Sequence, residues 1–410
     1  MTARTGDEMS GPALLIAGLA VTGSPVVASW LLAGLTVSSA VGGIVLGAVL
    51  DRVRRPGRAL AWCLGGYAVG LGVILAGLGR VPAAVLVGVA VVAGLLGPAL
   101  TGGWTAQVPQ VAPGARLARA NALDSMSYNL AGLAGPALAG LAATAVGAYG
   151  AVGISVGLVL LAVLPAWTLP VNPRPRAAAV RVRDLTEGVR AILVSRALLR
   201  TTVASMVSFA GMAMLVVSAP VLGIRFGAGA GFGGLLLAVV ALFALAANGL
   251  LAGPLRRLAG RPDAVLVGST LVLGLGLAIT AVAGATAAVT TAAGAGSVGG
   301  GWWGVGWAVV GVVVVGVASG PQLTAVMAVR HREAPEQARG QVFTTGASLK
   351  ITSFAVGSAV AGPLVAWSPP WALVTGAVLQ VVAIAAFWLL SPGGPSRNTA
   401  EAVERAGRMG

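Results

Sequence analysis

Lysine occurs once in 410 residues, at position 350, inside the run "GQVFTTGASLKITSFAVGSAVAGPL". No other charged side chain lies between Gly340 and Ser396. An amine in such a run has two chemical uses. Charged, it binds an anionic or carbonyl-bearing group. Exchanging its proton, it carries charge across an apolar barrier. Tyr128, Asn129, Gln322, Asn248 and Gln107 are further polar side chains within apolar stretches, and they offer hydrogen bonds. Catalysis inside a membrane needs clustered His, Cys or acidic side chains. Here the one histidine, His331, sits in a basic loop, and the one cysteine, Cys63, stands alone. No enzyme activity, metal or cofactor is therefore expected, and no intrachain disulfide.

These residues are carried on elements suited to lipid. The chain is 57% hydrophobic and 9% charged, with a mean hydropathy of +0.93. Soluble domains carry roughly 25% charged residues, far more than is present here. Sixty-two glycines suit close packing of helices in a bilayer. The apolar runs are long and do not alternate with polar residues, which argues against a transmembrane barrel. No cleavable leader is expected: Arg4, Asp7 and Glu8 crowd the start, and the following apolar stretch ends at "TGSP" without a small-residue cleavage site.

A span needs about 20 residues with few charges. The gaps between charges therefore count the spans. Met9–Leu50 accommodates two, Ala59–Gly79 one, Val81–Ala115 one, and Ser125–Pro173 two with a break near Gly147–Gly150. After an Arg-rich stretch, Thr201–Ile224 and Phe226–Leu255 accommodate one each. Ala264–Val329 and Gly340–Ser396 accommodate two each, the latter broken at Ser368–Pro370. The expected fold is an all-α integral membrane protein of twelve transmembrane helices in two six-helix, pseudo-symmetric bundles. Its units are residues 1–170, a cytoplasmic linker at 171–200, residues 201–391, and a tail at 392–410. The first span is short, unless it recruits the polar N-terminus.

Every arginine except Arg80 and Arg225 falls in alternate loops or at the termini. The positive-inside rule then places both termini in the cytoplasm of a bacterial cytoplasmic (inner) membrane protein. The net charge of +15 is a topological device on this reading, and no nucleic-acid partner is expected. In the linker, "VRVRDLTEGVRAILVSRALLR" reads as an amphipathic helix lying on the inner leaflet.

The halves repeat. "GPALT" at Gly97 returns as "GPQLT" at Gly320, an offset of 223 (320 − 97). "GPALAG" at Gly135 is answered by "GSAVAG" at Gly357, an offset of 222 (357 − 135). "APGARLARAN" from Ala112 and "APEQARGQ" from Ala334 keep the same order. Parallel halves related by an axis along the membrane normal bind ligand at their interface.

Across residues 9–391 the chain resembles the major facilitator superfamily of transporters. The loop "GAVLDRVRRPGR" is similar to the family's G-x-x-x-D-R-x-G-R-R signature. Gly47, Asp51, Arg52 and Arg55 match it, Arg54 stands where glycine is usual, and Arg58 closes the stretch. The resemblance implies that Asp51 pairs with a neighbouring arginine and faces the N-terminus of the eleventh helix, latching the halves. The second-half counterpart keeps Gly253 and its arginines but has no matching acid. In the fifth span, Gly135, Pro136 and Gly140 resemble the family's exporter-associated G-P-x-x-G-G motif, with Ala139 in place of a glycine.

The expected function is secondary active transport of a small amphipathic or hydrophobic compound by alternating access, in the direction of efflux. Import of a small metabolite and a transport-inactive scaffold are the alternatives. The expected partners are the substrate, the bilayer and a coupling proton, with the chain monomeric. By the count of charge-free gaps no acid lies at bilayer depth, Asp124 coming nearest, so the usual carboxylate for proton antiport is not expected. Trp302, Trp303 and Trp307 read as an interfacial belt. Lys350 follows Arg339 by 11 residues (350 − 339), which puts it about 16 Å into the membrane.

Overall fold

The computed structural model describes the chain apart from residues 40, 44–45, 47–49, 51–52, 101, 113–115, 172–181, 293–297, 336–337 and 392–410. The described residues form helices and no strand. In chain order these are α1 (Thr2–Thr22), α2 (Pro25–Val37), α3 (Pro56–Gly77), α4 (Ala83–Gly94) and α5 (Leu117–Leu161). They continue with α6 (Val182–Val194), α7 (Arg196–Arg225), α8 (Gly231–Ala252), α9 (Pro262–Ala292), α10 (Val298–Glu333), α11 (Arg339–Trp367) and α12 (Pro369–Leu389).

Local chemistry sets the boundaries. Gly23 ends α1 at φ 63°, a left-handed turn that favours glycine. Ser24 then caps α2, accepting a bond from the Val27 amide, with Pro25 at the first helical position. Ser195 caps α7 in the same way at the Leu198 amide. Beyond Gly94, α4 breaks into short turns at Gly97–Ala99, Gly102–Thr105 and Val108–Val111.

Among the described residues, ten segments are long and apolar enough to cross a membrane. One of them, Met126–Trp167, is two legs, because Gly147 at φ 78° bends α5. The 21-residue α1 is a further helix of spanning length. The set is consistent with twelve spans. The expected break near Gly147–Gly150 thus falls on Gly147 itself.

The first helix does recruit the N-terminus. Residues from Thr2 onward are helical, and Ala3 to Gly6 are buried. They are buried against α5: Ser155 donates to the Gly6 carbonyl at 2.7 Å, and Arg4 pairs with Asp124 at 2.8 Å. Of the charges that shortened the apolar gap, Arg4 is neutralised by a neighbour instead of by water.

One apolar core is drawn wholly from residues 3–166, centred on Leu14, Leu64, Tyr67 and Leu71. A second is drawn wholly from residues 215–373. A third joins both sets at the end of the bundle away from the termini: Leu15, Leu19 and Leu32 pack with Met214, Val217, Ala361 and Val365. There the Trp30 indole donates to the Ala359 carbonyl at 3.2 Å. Gly140 of α5 lies against the backbone of Gly231, Gly234 and Leu235 of α8. That end is sealed.

α6 also packs against the bundle. Gly188 sits on Gln341 and Thr345 of α11, and Ile192 joins Leu198, Ala334 and Val342 in a small core. One face of α6 is therefore docked on the bundle, while Val189, Leu193 and Val194 stay exposed.

Candidate functional site

Below the seal the two sets of helices separate around a cavity of about 840 Å³. Its wall takes Asp7 and Glu8 from α1, Leu35 from α2, Tyr67 from α3 and Tyr128 from α5. Phe209 of α7, Ala241 of α8, Ser319 of α10 and Ser348 of α11 complete it. A side lobe of about 430 Å³ shares Glu8, Tyr128 and Phe209 with the main cavity and is also lined by Asn248, Gln322 and Lys350. The lining is mostly apolar, with charge confined to a few positions.

The acids are the main correction to the sequence reading. Counting gaps between charges left Asp7 and Glu8 outside the membrane. They are helical and face the cavity. They lie 15 and 14 residues before Thr22, about 22 Å and 21 Å along the helix, inside a core roughly 30 Å thick. The Tyr67 hydroxyl donates to Asp7 Oδ1 at 3.1 Å and lies 2.7 Å from Ser10 Oγ. No ion pair or side-chain hydrogen bond engages Glu8 among the described residues. The helix register held the signal: Asp7, Ser10 and Leu14 share one face at helical spacing.

Lys350 lies in α11 on the cavity wall, its Nζ 4.0 Å from the centre of the Phe209 ring. A cation over an aromatic face is stabilised without a counter-ion. Tyr128 is half exposed to the cavity, with the Arg4 guanidinium 5.6 Å from its ring centre. Asn129 lies in α5, its side chain outside the described set.

Gln322 lines the lobe but is committed within its own half. Its Nε2 donates to Ser208 Oγ and to Thr270 Oγ1, both at 2.8 Å. Gln380 Nε2 donates to the Ser208 carbonyl at 2.9 Å, so α7, α9, α10 and α12 share one buried polar network. Asn248 Oδ1 accepts from the Thr324 hydroxyl at 3.0 Å. Gln107 stands apart: it lines a separate pocket of about 430 Å³ with Arg4, Trp104 and Asp124.

The motif positions divide. Gly47, Asp51 and Arg52 lie outside the described residues. Arg55 precedes α3, and Arg58 is exposed with its guanidinium 5.6 Å from the Trp167 ring centre. Gly135 meets α1: a methyl built on it would lie 2.5 Å from Glu8 Cβ. Gly140 and the Pro136 carbonyl meet Gly234 of α8. The Gly-Pro motif is therefore the point where α5 passes close to both α1 and α8. The second-half counterpart has no acid at the matching position, but Asp263 closes the same stretch at the start of α9. Asp263 accepts from Arg200 at 2.9 Å and Arg332 at 3.0 Å, tying α7, α9 and α10. Trp303 is 76% exposed and Trp307 49%, as an interfacial belt requires. His331 is exposed and packs on Phe343, with ring centres 4.5 Å apart.

The sequence profile described as Major Facilitator Superfamily matches residues 1–311. The chain belongs to this superfamily. It is a membrane transporter of that type, with the fold of its solved relatives. A mutant of the nucleoside transporter NupG aligns at TM-score 0.75 and 12% identity, over 95% of this chain and 98% of that one. A bacterial homologue of the iron transporter ferroportin, in an inward-facing state, aligns at TM-score 0.68 and 14% identity, over 96% of each chain. A bacterial homologue of the lysosomal transporter Spinster, inward-facing and unoccupied, gives TM-score 0.68 at 15% identity, over 95% of this chain and 94% of that one. No curated protein matches the sequence. At these identities the likeness is one of fold.

Proposed function

We propose that this superfamily member is a secondary active exporter of a small amphipathic compound. It works by alternating access between halves 1–170 and 201–391 of a bacterial inner-membrane protein, monomeric and with both termini cytoplasmic. The cavity carries the reading. Side chains from both sets of helices line it, one end is sealed by apolar packing, and its charged groups sit among aromatic and aliphatic ones. With the termini inside, the sealed end is the outer face and the cavity opens to the cytoplasm. That is the loading state of an exporter. The close α5–α8 crossing at the Gly-Pro motif supports that direction.

In this reading Asp7 and Glu8 are the candidates for the coupling proton, and Lys350 binds substrate. Asp51, in the sequence before α3, latches the halves in the opposite state. A deletion strain is tested by growth and accumulation against a panel of toxic amphipathic compounds. Loss of the protein should raise the cellular content of at least one compound. Wild-type chain should restore export, and Lys350→Met at equal membrane abundance should not. Reduced uptake in the deletion strain would reverse the direction. Full restoration by Lys350→Met at every pH would remove the lysine from the site.

A further inference from the structure

The charged groups around the cavity are split between its two sides and leave one another unpaired. On the first-half side stand Asp7 and Glu8. Asp7 has one oxygen bonded to Tyr67, and Glu8 is unbonded among the described residues. On the second-half side stands Lys350, whose ammonium touches the Phe209 ring. Behind it lies Arg330 of α10. Arg330 is 1% exposed, and none of its guanidinium nitrogens has a hydrogen-bond partner. Its guanidinium packs against Gly346, one helical turn before Lys350. Side chains at i and i+4 share a helix face and tilt toward the N-terminus, so both cations lie on one side of α11.

Buried charge without a counter-charge is strongly destabilising. Yet Glu8 and Lys350, lining the same lobe, form no ion pair. When all are ionised the four groups sum to zero: two acids against two bases. Arg4, the other charged group near the wall, is already matched by Asp124 at 2.8 Å and adds a neutral pair. A net cation would satisfy the acids and leave two bases bare. A net anion would do the reverse.

We infer that the cavity selects a dipolar substrate, a zwitterion whose ammonium end meets Asp7 and Glu8 and whose anionic end meets Lys350 backed by Arg330. The apolar body of that molecule spans the aromatic wall between them. This inference rests on the transporter reading and narrows its substrate class.

The probes are L-leucyl-L-phenylalanine, its C-terminal amide, and its N-acetyl form, which share one body and differ by one charge. Binding to the full-length protein in nanodiscs is read as a shift in melting temperature against ligand concentration. The dipeptide should bind at least about tenfold more tightly than either capped form, since one charged hydrogen-bonded contact is lost in each. In Lys350→Met the dipeptide and the amide should become equal, and in Glu8→Gln the dipeptide and the N-acetyl form should. Lys350→Arg, which keeps the charge, should retain the wild-type order and guards against a variant that merely misfolds. Equal binding of all three probes, tighter binding of a capped form, or no binding of the dipeptide overturns the inference. An export screen that then finds singly charged or neutral substrates leaves the transporter reading standing. A screen that finds none, with all probes silent, removes both.

Discussion

Gly140→Val tests whether the α5–α8 crossing is the seal. A methyl built on Gly140 would sit 2.5 Å from the Gly231 carbonyl oxygen, 3.0 Å from the Leu235 amide nitrogen and 3.2 Å from the Gly234 carbonyl carbon. All three are backbone atoms, so no side-chain rotation relieves the clash. Overpacking of this kind costs about 1–3 kcal/mol. The crossing joins the two sets of helices at the sealed end, so the cost falls on the sealed state. The balance between sealed and opened forms should shift by about 5- to 150-fold toward opening. The reporter is a cysteine at Met214, 2% exposed within the sealing cluster, in a Cys63→Ala background. Right-side-out vesicles are treated with an impermeant thiol reagent, and the labelling rate is measured. Gly140→Val should raise that rate by the factor above. Gly153→Val, with nothing within 4 Å of the new methyl, should leave it unchanged. A wild-type labelling rate in a well-expressed Gly140→Val protein would show that the crossing does not hold the seal.

Topology is checked by single cysteines at Ala228, in the turn after α7, and at Arg54, before α3. In intact cells the impermeant reagent should label the first and spare the second, and the opposite pattern would invert the orientation. Asp263→Asn should lower the melting point by an amount equivalent to about 1–2 kcal/mol, mostly through Arg200, because the Arg332 partner is 45% exposed and its pair is screened. An unchanged melting curve would make the triad incidental. Gln322→Leu should cost about 1 kcal/mol of stability, since Ser208 and Thr270 keep their bonds to Gln380 and the Leu266 carbonyl. Substrate affinity should persist in that variant, and its loss would return Gln322 to the binding surface.

Much of this protein is legible in one dimension because lipid imposes simple rules. A span must be long and apolar, and cationic loops stay on one side. Breaks between the long apolar runs were therefore located at Gly147 and Ser368. The same rule misjudged α1. It treats each charge as needing water, whereas Arg4 is matched by Asp124 and Asp7 by Tyr67, residues distant in sequence. Whether a charge ends a span or lines a cavity depends on what packs beside it, and that is a tertiary fact. The same holds for Asp263, which takes up the arginines Arg200 and Arg332 from separate helices, and for Gln322, whose amide is spent on Ser208 and Thr270. Composition and span order follow from residue type and spacing, because each is set by the bilayer acting on one segment at a time. The pairing of charges and the choice of which end is sealed are set by contacts between segments, which no single segment contains.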